Sequence, residues 1–440
     1  MLWREAFDIL SDMIKTQHRL RNFVFGTHRN IVSQMFGMRE EPAHRLSTLT
    51  CTDVLEYKYE AIREVLVLAS NLSTLELSLP LPFLADPSSD GTLEATRKAE
   101  TFFAALTCRS VDPLVAGRSE EKVGLVVAFP SVHVLNIRTT NLSTSAAALA
   151  GLFDLGRLTH LTFDGCVLID QILTAMARSG RMHLLSLVLE DHQHSTLERI
   201  EHLDELLVSF TGLRTLVFCG STSETPPAHA RKSEGLPCMR AVCHHSATLR
   251  TLYIDRDWAH YLTADLQEMS GACTGLEQLG LILKIGKLKG CNQRLPRYLK
   301  KVGVTTLPKL ATLRVLDYLG EIEGDMSIVD VYHRTSQRSD ILHNDVPVDS
   351  GLGKVSSDVL SSSRSRLSVV AWGRSVWHAI EAESRKPICY ARGSLCPPYD
   401  HGRNLAVKVD EQSVKYLEPL SNILSVKHHA PDFLRLDYAL

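Results

Sequence analysis

The sequence predicts an α/β solenoid, in which each coil of the chain contributes one parallel strand and one helix. A sequence motif of the form Leu-x-x-Leu-x-Leu, called the leucine phrase below, recurs along most of the 440 residues, and its clearest copy begins at Leu158. Four steps between neighbouring copies are 26 residues long, which is typical of architectures that repeat one supersecondary unit. Between the phrases, apolar residues recur at the spacing of an amphipathic helix.

The leucine phrase predicts one strand with an apolar side. Successive residues of a strand face opposite sides, so Leu161 and Phe163, two positions apart, face the same side. Leu158 and Leu168, which flank the strand, are expected to face the core with them. One coil cannot bury such a stripe alone, and stacked coils bury it in a continuous core. Each copy of the phrase is expected to form a strand centred on its second leucine position, and these centres are Phe23, Leu49, Leu75, Leu135, Leu161, Leu187, Leu216, Leu252, Leu279 and Leu316.

Helices are predicted between the strands. The segments 168–176 and 197–207 have helical spacing of apolar residues, and Ser195 with Glu198 matches a capping box. In a curved, horseshoe-shaped solenoid these helices would form the convex side and the strands the concave side. The alternative is a doubly wound α/β domain, which is disfavoured because the units of that fold vary more in length.

The positions where the leucine phrase is regular and where it stops suggest that the chain has three parts. Residues 1–320 are expected to form the solenoid, with an irregular insert at about 80–128 and a protruding loop at 221–237. Residues 321–366 are rich in serine and poor in apolar side chains, so we expect a flexible segment. Residues 367–440 are expected to form a repeat-like terminal cap.

Two local patterns describe the start of this cap. Leu367-x-x-Val370-x-Trp372 repeats the leucine phrase and predicts a strand. The apolar residues from Val376 to Glu383 are interpreted as a helix that follows it.

Composition narrows the range of functions. A net charge of −2 argues against bulk binding of nucleic acid. The start of the chain does not resemble a signal peptide, and no apolar run is long enough to cross a bilayer, so a cytoplasmic or nuclear protein is expected. Ten scattered cysteines suggest reduced, packed thiols. Cys238, Cys243, His244 and His245 lack a second matching pair of ligands, so neither a metal nor a cofactor is predicted.

The strand positions that point away from the core are the candidate binding site. They lean acidic and end beside two aromatic residues, a composition that suits a protein partner with a basic surface. The candidate residues are Arg138, Thr162, Asp164, Glu190, Thr251, Tyr253, Asp255, Asp257 and Trp258. A competing surface is the basic run, residues 284–314, which has nine lysines and arginines and no acidic residue.

The segment from Leu158 to Leu168, with Cys166 at the ninth position, resembles the cysteine-containing subtype of leucine-rich repeat. The subtype is common in the substrate-binding halves of F-box ubiquitin-ligase receptors. The resemblance implies a non-catalytic protein-binding scaffold that could meet ubiquitin-ligase components. One helix at Leu2–His18 leads directly into the first repeat strand, so the F-box itself is expected not to be present.

Two alternatives to this function remain. Some leucine-rich repeat proteins activate small GTPases, although no arginine here matches the supplied catalytic arginine of an activator. An enzyme with a cysteine nucleophile would place Cys389 or Cys396 near His401 in the tail, but no local motif marks a known catalytic family.

Overall fold

The architecture is described from a computed structural model of the chain. The chain divides into two compact units, residues 1–213 and 214–440, and each is described by itself. The structure describes residues 22–25, 46–51, 66, 69, 71–78, 129–138, 146–166, 169–180, 182–192, 201–220, 236–256, 261–283, 297–317, 367–372, 375–381 and 404–409.

The first unit contains parallel strands that alternate with helices. The strands are β1 (Asn22–Phe25), β2 (Thr48–Cys51), β3 (Thr74–Ser78), β4 (Val134–Arg138), β5 (His160–Asp164) and β6 (Ser186–His192), and the helices are α1 (Ala146–Leu152), α2 (Asp170–Ser179) and α3 (Glu201–Val208). Each strand pairs in parallel with the next one along the chain. A helix follows each of β4, β5 and β6, so each of these coils contains one strand and one helix.

The leucines of the phrase occupy equivalent places on neighbouring strands. In the register of the sheet, Leu75 pairs with Leu135, Leu135 with Leu161, and Leu161 with Leu187. These four side chains are at most 2 % exposed. The predicted stacking of this part of the chain is therefore confirmed. The pairing of β3 with β4 also makes the predicted insert at 80–128 a connection between adjacent strands, although those residues lie outside the described ranges.

Hydrogen bonds one coil apart tie the start of each strand to the preceding coil. The backbone N–H of Ser73 donates to Ser47 O at 2.8 Å, and that of Leu185 donates to Thr159 O at 2.7 Å. The Thr159 hydroxyl donates to His133 O at 3.0 Å. Each of these bonds spans the 26-residue period, so the length of the repeat is set by the backbone as well as by the core.

Cys166 closes the turn after β5. Its buried thiol donates to the carbonyl oxygen of Ile137, with an Sγ–O distance of 3.3 Å. A small donor at this position therefore satisfies a carbonyl of the preceding coil, as the ninth position of the phrase requires.

Helix α2 confirms the helix predicted from residue 168 onward. Its side chains Ile172, Leu173 and Met176 are buried in the core. The helix is followed by its C-terminal cap, Gly180, whose φ of 62° is the left-handed conformation that glycine adopts without strain. The capping box predicted at Ser195 and Glu198 lies outside the described residues.

The second unit continues the alternation and ends with an antiparallel pair of strands. Its elements are β7 (Thr215–Gly220), α4 (Met239–Cys243), β8 (Thr251–Arg256), α5 (Thr263–Ala272), β9 (Gln278–Leu283), a 3-10 turn (Val304–Thr306), β10 (Thr312–Asp317), β11 (Val369–Trp372), β12 (Ser375–Glu381) and β13 (Asn404–Val409). Strands β7 to β11 pair in parallel, whereas β12 is antiparallel to both β11 and β13.

The prediction of Leu316 as a phrase position is wrong. Leu279 pairs with Leu313, which is 1 % exposed, and Leu316 pairs with Ile282. Positions 313 and 316 differ by an odd number of residues, so they belong to opposite faces of the strand. The phrase in this coil begins at Leu310, which is fully buried.

The structure confirms the repeat-like strand at the start of the cap and contradicts the helix after it. Val370 pairs with Leu313 and is fully buried. The residues from Val376 to Glu381 lie in β12 and not in a helix. Only Gly373 and Arg374 separate Trp372 from Ser375, and a two-residue connection with glycine first is typical of a β-hairpin.

The fold is an α/β solenoid of leucine-rich repeat-like architecture. Within the described ranges, no helix is long and apolar enough to cross a membrane. The predicted flexible segment at 321–366 and most of the predicted loop at 221–237 lie outside those ranges, so both stay predictions.

Candidate protein-binding surface

The outward side of the first unit's strands carries polar residues in two adjacent rows. The first row runs across Thr50, Glu76, Asn136 and Thr162, which occupy matching places on β2 to β5. The second row, two residues later in each strand, runs across Arg138, Asp164 and Glu190. The inward residues between the rows include Leu77, Ile137, Phe163 and Leu189. Both rows are therefore anchored to a packed core. We call these seven residues the polar rows.

Arg138 connects the rows through two ion pairs. Its Nη2 lies 3.0 Å from Glu76 Oε1, and its Nε lies 3.9 Å from Asp164 Oδ2. Thr50 donates its hydroxyl hydrogen to Glu76 Oε2 at 3.4 Å. The Arg138 side chain is 46 % exposed, so each ion pair contributes about 0–1 kcal/mol to stability. The main effect of these contacts is to hold charged groups from three strands in defined positions.

The start of β5 adds an imidazole to the same side of the sheet. The pKa of His160 lies below its ordinary value, first because of partial burial and second because of the nearby His133. Its Nδ1 lies 2.9 Å from the Thr159 hydroxyl. This lowered pKa favours the neutral imidazole, which does not offset the carboxylates of the polar rows.

Four of the predicted site residues are together in the first unit. Arg138, Thr162, Asp164 and Glu190 lie on neighbouring strands and are partly or fully accessible. Glu76 was not among the predicted site residues, although it lies between Leu75 and Leu77 at the same outward position of the phrase. The alternation of the phrase alone could have identified it.

The predicted exposure of Thr251 and Tyr253 is wrong. Both occupy outward strand positions of the second unit, but Thr251 is 4 % exposed and Tyr253 is completely buried. The outward neighbours Val217 and Arg314 are each 4 % exposed. These outward strand positions of the second unit are therefore buried, whereas the polar rows of the first unit are partly or fully accessible. Tyr253 cannot act as an exposed aromatic anchor.

Packing across the strands explains how the Tyr253 ring is held. The ring lies against Gly280, its partner in the register of β8 and β9, where any side chain would collide with it. The guanidinium carbon of Arg314 lies 5.3 Å from the centre of the ring, which is cation–π geometry. Asp255 lies on β8 but its side chain is not described, and Asp257 and Trp258 lie outside the described residues.

The competing basic run is partly described. Arg297, Lys300, Lys301 and Lys309 are exposed, whereas Arg314 is buried against Tyr253. The first three recur at helical spacing and share one side of the chain, while Leu299 and Val302 are buried on the other. This surface remains a physically reasonable competitor for an acidic partner.

The arrangement of the polar rows can supply fixed charges and hydrogen-bond acceptors. Among the described residues, no group of three histidines, cysteines or acids is placed to hold a metal ion. Comparisons with protein-family models and with characterised proteins find no match for this chain. The class supported by the structure is thus an α/β solenoid with a charged, accessible strand surface.

Proposed function

We propose that the chain is a non-catalytic protein-binding scaffold and that its partner docks on the polar rows of the first unit. The observation that carries this proposal is the placement of Arg138 between Glu76 and Asp164 on three consecutive strands. Such a surface is accessible and polar, and its side chains are already held before any partner arrives. Little conformational entropy is then lost on binding, because the interacting groups are held in place in advance.

The charge of the polar rows favours a basic partner surface. Glu76, Asp164 and Glu190 supply three carboxylates, and Arg138 supplies one cation. A lysine or arginine of a partner would therefore meet a net negative surface. Complementary charge of this kind raises the rate and specificity of association.

A role in ubiquitin ligation is the more specific form of this proposal. It is supported by the resemblance of the Leu158–Leu168 segment to the repeats of F-box receptors. Activation of a small GTPase is less well supported, because the outward arginine of this surface, Arg138, is engaged by two carboxylates and is not poised to stabilise a phosphate.

The experiment is affinity purification of the full chain from cells, followed by mass spectrometry and then by binding measurements with the purified partner. The test variant is Asp164→Lys with Glu190→Lys. The control is Asp154→Lys, which reverses a charge in the same unit but outside the polar rows. We expect the double variant to weaken binding at least about tenfold, which corresponds to about 1.4 kcal/mol, and the control to bind normally.

Two results would contradict the proposal. If the partner tolerates Asp164→Lys with Glu190→Lys but is lost with Lys300→Glu and Lys301→Glu, the binding surface lies on the basic run. If the ligand is a nucleic acid whose affinity falls steeply with salt, the protein-binding function itself is wrong.

A further inference from the structure

Two thiols meet where consecutive helices of the second unit pack side by side. Cys243 is the last residue of α4, and Cys273 directly follows α5 as its C-terminal cap. The two helices are in contact, and the side chains of the two cysteines are joined by a hydrogen bond. The sulfur atoms are therefore neighbours even though the residues are far apart in sequence.

The two cysteines differ in accessibility. Cys243 is partly exposed to solvent, whereas Cys273 is buried. A reagent can therefore reach Cys243 first, and Cys273 is positioned behind it. This is the arrangement of an attacking thiol and a resolving thiol.

The surroundings of Cys243 also favour its reactive form. Its pKa lies below the ordinary value because the side-chain hydrogen bond with Cys273 stabilises the thiolate, an effect that outweighs burial and the nearby Glu268. The pKa of Cys273 is raised, first by the same hydrogen bond and then by burial. Cys243 is the accessible thiol of the pair and the one whose thiolate is favoured, so it is assigned as the nucleophile, since the thiolate is the reactive species.

We propose that Cys243 and Cys273 form a redox modification site, at which glutathione disulfide converts the thiol pair into an intramolecular disulfide between α4 and α5. This site is distinct from the polar rows and does not depend on the proposed function. Both cysteines are reduced in this structure.

The reaction proceeds in two thiol–disulfide exchanges. The Cys243 thiolate attacks glutathione disulfide, so that a bond forms between Cys243 and one glutathione sulfur and the other glutathione leaves as a thiolate. Cys273 then loses its proton and attacks the Cys243 sulfur, which releases the second glutathione thiolate. The protein loses two electrons and two protons, and glutathione disulfide gains them as two molecules of glutathione.

The test uses the reduced full-length chain, incubated with glutathione disulfide near neutral pH and analysed by intact-mass and peptide mass spectrometry. We expect a loss of two hydrogen atoms and a crosslinked peptide that contains Cys243 and Cys273. The Cys273→Ser variant should stop at the mixed disulfide of Cys243 with glutathione. The Cys243→Ser variant should form neither product at this site, and Cys238→Ser should behave like the natural chain.

The kinetic control compares alkylation of individual cysteines in the reduced protein. Cys243 should react faster than the exposed Cys238, although Cys243 is less accessible. The proposal is overturned if Cys238 reacts first, or if Cys243 carries glutathione in the natural chain without going on to the disulfide. A crosslink between any other pair of cysteines under these conditions would also overturn it.

Discussion

The ring of Tyr253 lies directly against the backbone of Gly280 on the neighbouring strand, and no side chain fits between them. Arg314 on the following strand covers the same ring. The three residues come from consecutive coils and occupy matching outward positions. This stretch of the sheet is therefore buried and does not present its tyrosine to a partner.

Replacement of Gly280 by alanine should destabilise the second unit. The new methyl group would overlap the ring of Tyr253, and relieving this overlap would cost about 1–3 kcal/mol. Gly271→Ala is the matched control, because nothing lies within 4 Å of the added carbon and alanine favours a helix. The control should be neutral or stabilising by up to about 1 kcal/mol. Urea unfolding of both variants measures the difference, and equal stabilities would show that the ring does not rest on Gly280.

Truncation of Leu161 should leave a cavity in the first unit. The side chain is 1 % exposed and lies between Leu135 and Leu187 in the register. Leu161→Ala should lower the free energy of unfolding by about 2–5 kcal/mol. Thr162→Ala, one residue later on the outward side, should change it by less than about 0.5 kcal/mol. A loss of less than about 1 kcal/mol for Leu161→Ala would mean that this leucine is not interior.

Loss of the Cys166 thiol should weaken the turn after β5. Cys166→Ala removes the donor to the carbonyl of Ile137 and leaves that buried oxygen without this bond. We expect a loss of about 1–3 kcal/mol. Cys238→Ala removes an exposed thiol and serves as the control. Thermal unfolding of the two variants gives the comparison, and identical midpoints would rule out a structural role for this thiol.

Cys51 should make the protein less stable at alkaline pH. Burial, and then the carboxylate of Glu76, raise its pKa in the folded state above the ordinary value of 9.0. The folded chain thus keeps a proton that the unfolded chain loses, so this contribution to stability is complete below about pH 9 and is lost as the pH rises further. The slope is at most about 1.4 kcal/mol per pH unit. Cys51→Val should unfold with a shallower pH dependence between about pH 9 and 11 in denaturant titrations. An unchanged slope would mean that Cys51 does not titrate with unfolding.

The leucine phrase predicted the strands of the first unit well because it consists of apolar residues at a regular spacing along the chain. The position of Leu161 opposite Leu135 and Leu187 follows from a period and from the alternation of a strand. Leu316 was misplaced because several leucines and valines lie close together there, and apolar identity alone does not choose between registers. The hydrogen-bonded pairing with Leu279 selects Leu313.

The structure of the tail and of the candidate site depends on contacts between coils, which the local sequence does not specify. A short segment such as Val376 to Glu383 suits a helix or a strand by its local pattern, and the pairing with β11 and β13 decides for the strand. Exposure of Tyr253 could not be predicted either, because it depends on what two other coils place beside it. Some residues of the polar rows, such as Arg138 and Asp164, were predicted from the alternation of strand residues. Their ion pairs could not be predicted, because they depend on the register between three neighbouring strands.

The hydrogen bonds that join coils one period apart have an evolutionary consequence. Since Leu135, Leu161 and Leu187 each stand in the same place within a coil, excision of the 26 residues between two such points would join matching ends. Leu135 would then be followed by the coil of Leu187 with every inward and outward position kept. Deletion of a single residue within a strand would instead move the residues that follow it in that strand to the opposite face of the sheet. A gene for such a chain can therefore lengthen or shorten by whole coils, while small frame-preserving indels within a strand are strongly disfavoured.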